Sequence, residues 1–229
     1  MKKTSEKINS FKQEVVLKRT VLCVIGTILI GLGVTIFLKS QLGSDPTSIW
    51  VDGLHAFFSI SYGNASLVNN IITLGIALIV ARKYIYVGTV IGALLTGPVM
   101  NFFDPYIDMV FSTNPSFIIR LFMIVLGHII VCNGIAFNLA AKFGFSPPDC
   151  IITAICDKTG WQYRYLKIAF DATFAIIGVI LGGIVGIGTV LSVLTGGPLI
   201  SETKKLLDKS LLTRMGLSDD SREMARVSG

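Results

Sequence analysis

The sequence predicts an all-α polytopic membrane protein, with six transmembrane helices arranged as two inverted-topology three-helix repeats. Each repeat also carries a short re-entrant or interfacial helix. Three observations carry this expectation: apolar runs of membrane-spanning length, an internal repeat at about 101 residues, and loop charges whose bias reverses between the halves.

Of the 229 residues, 52% are hydrophobic and 15% charged, and the mean hydropathy is +0.71. That balance lies well outside the range of soluble domains. Runs 21–38, 67–80, 117–139 and 168–185 are apolar enough to cross a hydrocarbon core of about 30 Å. Two shorter Gly-rich runs, 87–99 and 187–200, need a further argument.

That argument is the repeat. A shift of 101 places Gly33 on Gly134, Leu38 on Leu139, Gly43 on Gly144, Pro46 on Pro147 and Tyr62 on Tyr163. A shift of 100 places "VGTVIGALLTGP" on "IGTVLSVLTGGP", with Gly88, Thr89, Val90, Leu94, Gly97 and Pro98 repeated. Self-similarity of this extent outranks any local motif. It divides the chain into a basic cytoplasmic tail (1–17), a first membrane repeat (18–104), an external loop (105–115), a second membrane repeat (116–205) and a second cytoplasmic tail (206–229).

Loop charges set the orientation of each half. After the second span the first half has Arg82 and Lys83, where the second half has the uncharged "GGIVGIG". After the third run the first half has "FDPYIDMVF" without Lys or Arg, where the second has "ETKKLLDKSLLTR". Between break and second span the first half has His55 and acids, the second Lys142, Lys158, Arg164 and Lys167. Equivalent loops with opposite bias require an odd number of crossings per half. Three crossings each make the Gly-rich runs span the membrane and put both termini in the cytoplasm. Segments 46–58 and 147–155 then do not cross, and partial re-entry suits their Pro at a first helical turn.

Each non-crossing segment follows a Gly-Pro break, "SQLGSDPTS" or "AAKFGFSPPD". Asp45 and Asp149 lie in these breaks, where they either cap a helix or face a central site. Asp171, inside the fifth span, needs protonation or a cationic partner, and its repeat mate is Asn70. His128 lies mid-span opposite Thr27, as a packing residue or a proton carrier. Asn101 and Thr96 flank Gly97-Pro98, which with Gly197-Pro198 are expected kinks or unwound points. Pro46 and Pro147 are the corresponding hinges at the breaks. Gly178, Gly182 and Gly186 read as a close-packing face.

Cys23, Cys132, Cys150 and Cys156 form no C-x-x-C pair and read as buried thiols, so neither metal nor cofactor is implied. The net charge of +6 sits in tails and one-sided loops, the signature of membrane orientation rather than of nucleic-acid binding. No phosphate loop, nucleophile elbow or dinucleotide fingerprint appears, so enzyme chemistry is not expected. Leu206, Leu207, Leu211 and Leu212 among Lys and Arg suggest a cytoplasmic surface helix.

The stretches "GLGVTIFLKSQLGSDPTS" and "YIYVGTVIGALLTGPVMNFF" resemble the YczE/YitT-type family of bacterial integral membrane proteins. The resemblance covers roughly 21–212 and implies location and fold more than activity. Its Asp-Pro feature maps onto Asp45-Pro46 and its Gly-Thr feature onto Gly88-Thr89, while the second half has Ser146-Pro147 with the acid displaced to Asp149. The expected role is a small-solute transporter of a bacterial cytoplasmic membrane, proton-coupled through Asp171. The alternative is a membrane scaffold holding a partner enzyme or biosynthetic complex. Expected partners are the lipid bilayer, an unknown small solute and a second copy in a homodimer.

Overall fold

The computed structural model describes residues 2–112 and 115–209, with side chains from 13 onward. The described residues form α1 (Lys2–Lys39), α2 (Pro46–Phe58), α3 (Tyr62–Val80), α4 (Val87–Phe111), α5 (Phe117–Ala141), α6 (Pro147–Thr159), α7 (Tyr163–Ile180) and α8 (Ile187–Leu207), and no strand. A short 3-10 turn, Arg82–Tyr84, joins α3 to α4.

Four helices are long and apolar enough to cross a membrane: α1 over Gln13–Lys39, α3, α4 and α5. By the same measure α7 and α8 fall short, because Arg164, Lys167 and Asp171 interrupt one and Glu202, Lys204 and Lys205 the other.

Several expected boundaries move. No Gly or Pro separates the basic tail from the first span, so α1 is continuous from Lys2. The expected external loop 105–115 is helical as far as Phe111. Lys39 explains this extension: it ion-pairs with Asp104 (3.2 Å) and Asp108 (2.5 Å), one turn apart, and donates to the Asp104 carbonyl. These contacts hold α4 past Pro105. Helix runs uninterrupted through Pro98 and Pro198, so neither point is unwound. Leu206 and Leu207 end α8, while Leu211 and Leu212 lie outside the described residues.

Packing follows the repeat. Helix α1 packs on α4 as α5 packs on α8, and α2 packs on α7 as α6 packs on α3. At the centre α1 meets α5 through glycines. A Cβ on Gly26 would lie 2.8 Å from the Gly134 carbonyl oxygen, and one on Gly33 would lie 2.9 Å from that of Gly127. The converse approaches, from Gly134 to Gly26 and from Gly127 to Gly33, are 2.7 and 2.9 Å. Residue numbers rise on one helix as they fall on the other, so these equivalent helices run antiparallel. Without Cβ atoms the two backbones touch.

Contacts at the two breaks are also matched. Gly88 N–H donates to the Phe143 carbonyl at 3.0 Å, and Gly188 N–H donates to that of Leu42 at 3.0 Å. Gly43 (φ +89°) and Gly144 (φ +137°) supply the positive φ that each break needs. Gly53 meets Gly178 between α2 and α7, where α6 and α3 use the buried pair Ala154 and Ala77. Of the three glycines read as one packing face, Gly178 meets Ile49 and Gly186 meets Leu42, whereas Gly182 belongs to the turn after α7 with φ +104°.

One interface has no mate. Helices α3 and α4 pack where a Cβ on Gly97 would come within 2.6 Å of the Gly63 oxygen. Their counterparts are Arg164 and Gly197, and Gly197 has open space around it. Gly97→Ala should therefore lower the melting temperature of the purified protein. Gly197→Ala should leave it unchanged or raise it, since Ala exceeds Gly in helix propensity by about 1 kcal/mol. Equal effects at the two sites would contradict this asymmetry.

Outside the helices' apolar bodies, Lys83 ion-pairs with Asp157 at 2.8 Å and Tyr84 donates to the same carboxylate. The Lys83 ammonium, and after it Tyr84, holds the Asp157 carboxyl below its usual range. A lowered carboxyl stabilises above its unfolded pKa and loses that contribution as pH falls through the folded value. The melting difference between the protein and Asp157→Asn should thus be small at pH 7 and vanish in acid. A difference that grows on acidification would contradict the pairing.

Candidate functional site: a cavity between the two breaks

The two breaks build their helix starts from the same parts in exchanged order. In the first, Asp45 caps α2: its carboxylate accepts from Ser48 N–H (3.2 Å) and from the Ser48 hydroxyl (2.6 Å). In the second, Ser146 caps α6: its hydroxyl accepts from Asp149 N–H (3.3 Å) and donates to the Asp149 carboxylate (2.6 Å). Acid and hydroxyl swap between the cap and the third helical position. Each break thus keeps one carboxylate at its helix start, which explains the displaced acid of the second half.

Both helix starts reach one cavity of about 410 Å³. Asp45, Pro46 and Ser48 line it from one side, and Ser146, Pro147 and Asp149 from the other. Asn69 and Asn70 of α3, Thr89 and Thr96 of α4, His128 of α5, Lys167 and Asp171 of α7 and Ser192 of α8 complete its polar wall. Phe37, Val34, Met100, Val131 and Ile135 make the rest apolar.

Asp171 meets a cation. Lys167, one turn earlier, lies 2.8 Å from its carboxylate and 4.0 Å from that of Asp149. The Tyr163 hydroxyl donates to Asp149 at 2.8 Å. Lys167, counted only among loop charges, is a site residue that sequence reasoning missed, as are Asn69 and Asn138. The spacing of Lys167, four from Asp171, is the signal that identifies it. The cavity wall therefore carries three carboxylates, Asp45, Asp149 and Asp171, and one ammonium.

Among the amides, Asn70 donates to the Ala93 carbonyl at 2.9 Å, tying α3 to α4. Asn69 donates to Asn70 at 3.2 Å, and its own oxygen is buried without a partner, as is that of Asn138 in the same wall. His128 is buried, with Nε2 2.8 Å from the Thr195 hydroxyl. That hydroxyl also lies 2.7 Å from Leu191 O, to which it donates. His128 is thus both a satisfied packing residue and part of the wall.

Other expected residues lie elsewhere. Asn101 accepts from Ser61 (2.7 Å) and donates to Asn64 (2.9 Å), a structural link at the α3–α4 contact outside the cavity. Gly97, Pro98, Gly197 and Pro198 are also absent from its wall. The reason is register: residues 96 and 97 lie about 100° apart around α4, so Thr96 lines the cavity while Gly97 packs on Gly63 and Leu67 of α3. Cys23, Cys132 and Cys150 are buried free thiols, while Cys156 is half-buried. Among the described residues no cluster of three His, Cys, Asp or Glu is placed to hold a metal ion.

A model described as "Family of unknown function (DUF6198)" matches residues 17–205. The chain is 27% identical over 187 residues to "Uncharacterized membrane protein YczE" of Bacillus subtilis (strain 168), covering 81% of this chain and 85% of that one. It is 25% identical over 190 residues to "Uncharacterized protein YyaS" of the same organism, covering 83% and 94%. An "Uncharacterized protein" of Haemophilus influenzae is 23% identical over 163 residues, covering 71% and 72%. No solved structure matches the chain.

Proposed function

We propose that this chain, which belongs to the DUF6198 family of unknown function, is a small-solute transporter of the bacterial cytoplasmic membrane, built from two inverted halves of three spans. The observation that carries the reading is the single cavity lined by both breaks. Discontinuous helices that meet at a shared site are how inverted-repeat transporters bind solute and coupling ion near mid-membrane. Irregular backbone at such depth is tolerated where it lines a cavity.

Contacts between elements support the orientation. In the inverted topology Arg19 and Lys142, Gly88 and Phe143, and Lys83 and Asp157 all belong to the cytoplasmic side. Lys39 and Asp104, Gly188 and Leu42, and Asp52 and Ile184 belong to the outer side. Every one of these pairs joins segments on the same side. In this reading α7 and α8 cross as well, and the paired Lys167 and Asp171 reduce the cost of charge within α7. Helices α2 and α6, 13 residues each and so about 20 Å long, re-enter from opposite faces.

Proton coupling goes through Asp171, which exchanges its proton against the Lys167 pair. The test is uptake of a metabolite mixture by proteoliposomes under an imposed pH gradient, read by mass spectrometry. The parent protein should accumulate at least one solute in a pH-dependent manner, and Asp171→Asn should abolish the dependence. Uptake equal to empty vesicles for every solute would remove the transport reading. An Asp171→Asn variant with the parent's pH profile would remove the coupling alone.

A further inference from the structure

We propose that the cavity takes a small organic ammonium ion bearing N–H donors, with Asp45 as its principal counter-charge. The inference rests on the reading of the cavity as a solute site and names the solute's chemistry.

A helix start ordinarily offers free N–H groups and favours anions. Here most of those groups are removed or used, the Thr47 N–H being the one left open at the first start among the described residues. Pro46, Pro147 and Pro148 have no N–H. Ser48 N–H is taken by Asp45 and Asp149 N–H by Ser146, while Ile49 and Cys150 bond to the carbonyls of Asp45 and Ser146. At the first start the position an anion would occupy is filled by the Asp45 carboxylate, and at the second the Ser146 hydroxyl takes the N–H while Asp149 adds its negative charge beside it.

What remains open is acceptors. Asp149 and Asp171 share Lys167, whereas Asp45 bonds only within its own cap and forms no ion pair among the described residues. Independently, the Asn69 side chain, 3% exposed, belongs to the same wall and leaves its buried carbonyl oxygen without a partner. A buried acceptor without a donor is costly, so its partner is supplied by what binds. Three carboxylates against one ammonium leave the wall short of positive charge, and Phe37, Val34 and Val131 offer apolar surface for an organic body. A bare divalent metal does not fit, since among the described residues no cluster of three metal-binding side chains forms.

The test uses the full chain in nanodiscs and isothermal titration with size-matched probes: cyclohexylammonium, cyclohexanecarboxylate, cyclohexanol and tetraethylammonium, a cation without N–H. Cyclohexylammonium should bind, and each of the others should bind about tenfold or more weakly, the scale of a charge-assisted hydrogen bond. Asp45→Ser, which installs the cap residue of the second break, should lose cyclohexylammonium binding. The exchange Asp45→Ser with Ser48→Asp, which rebuilds the second break's own pattern in the first, should recover it. Melting curves identify a variant that has failed to fold, and the exchange variant then carries the comparison. Equal or tighter binding of the carboxylate, no binding by any probe, or undiminished binding by folded Asp45→Ser overturns the proposal. Equal binding of tetraethylammonium overturns the N–H requirement. Ammonium binding without uptake would sustain the site and sink transport, whereas uptake of other solutes without ammonium binding would do the reverse.

Discussion

Replacing Lys167 by Met should destabilise the protein by about 1–3 kcal/mol and cut solute uptake about tenfold or more. Its ammonium stands between Asp171 at 2.8 Å and Asp149 at 4.0 Å, with Asp45 close enough to act on it electrostatically. Removal of one partner from a buried pair costs about 3–5 kcal/mol. Lys167 is 35% exposed, so solvent screening lowers the expected figure. The sharper check is a double-mutant cycle. Because the cost comes from uncompensated carboxylates, Lys167→Met with Asp171→Asn should melt closer to the parent than Lys167→Met alone. Two losses that simply add would show that the residues do not act as a pair.

Gly134→Ala should be strongly destabilising at the α1–α5 seam. Its Cβ would press on the Gly26 carbonyl oxygen at 2.7 Å and on Ile30 at 2.8 Å, and a backbone carbonyl inside a helix cannot turn away. Overpacking of this kind costs about 3 kcal/mol. Gly26→Ala should match it, because its Cβ meets Gly134 O and Asn138 from the other side. Melting in nanodiscs should therefore fall by similar amounts for the two variants. Gly75→Ala, in open space on α3, is the control that should not fall.

These two expectations stand on different amounts of sequence information. The glycines of the seam were visible as repeat mates, since Gly26 aligns with Gly127 and Gly33 with Gly134. That they face one another crosswise was not, because a repeat gives equivalence and says nothing about contact. The site was legible where chemistry and depth coincide. Asp45, Asp149, Asp171, Asn70 and His128 are polar groups in or beside apolar runs, and all five line one cavity.

The rest failed for identifiable reasons. Lys167 was read as a topological charge, although its distance from Asp171 depends only on helical spacing. Asn101 sits beside Gly97-Pro98 in sequence but on the α3 face of α4, where it bonds Ser61 and Asn64. The stretch after 104 looked like a loop because it is acidic and contains Pro105. Its one acid, Asp108, instead joins Asp104 as a partner of Lys39, a residue 65 positions before Asp104 whose role no local pattern records. The YczE-type resemblance was right about family and membrane, which is as far as the relatives' descriptions extend.

In the proposed topology two halves inserted upside down to each other enclose one cavity. Phe58 and Thr159 are repeat equivalents at the ends of α2 and α6, and both are exposed. Single cysteines at these positions, with Arg82, Tyr106 and Val185 as further probes, can be labelled with a membrane-impermeant maleimide on intact cells, in a background lacking the four native cysteines. Phe58, Tyr106 and Val185 should label from outside, and Thr159 and Arg82 only after the membrane is opened. Labelling of Phe58 and Thr159 from the same side would contradict the claim.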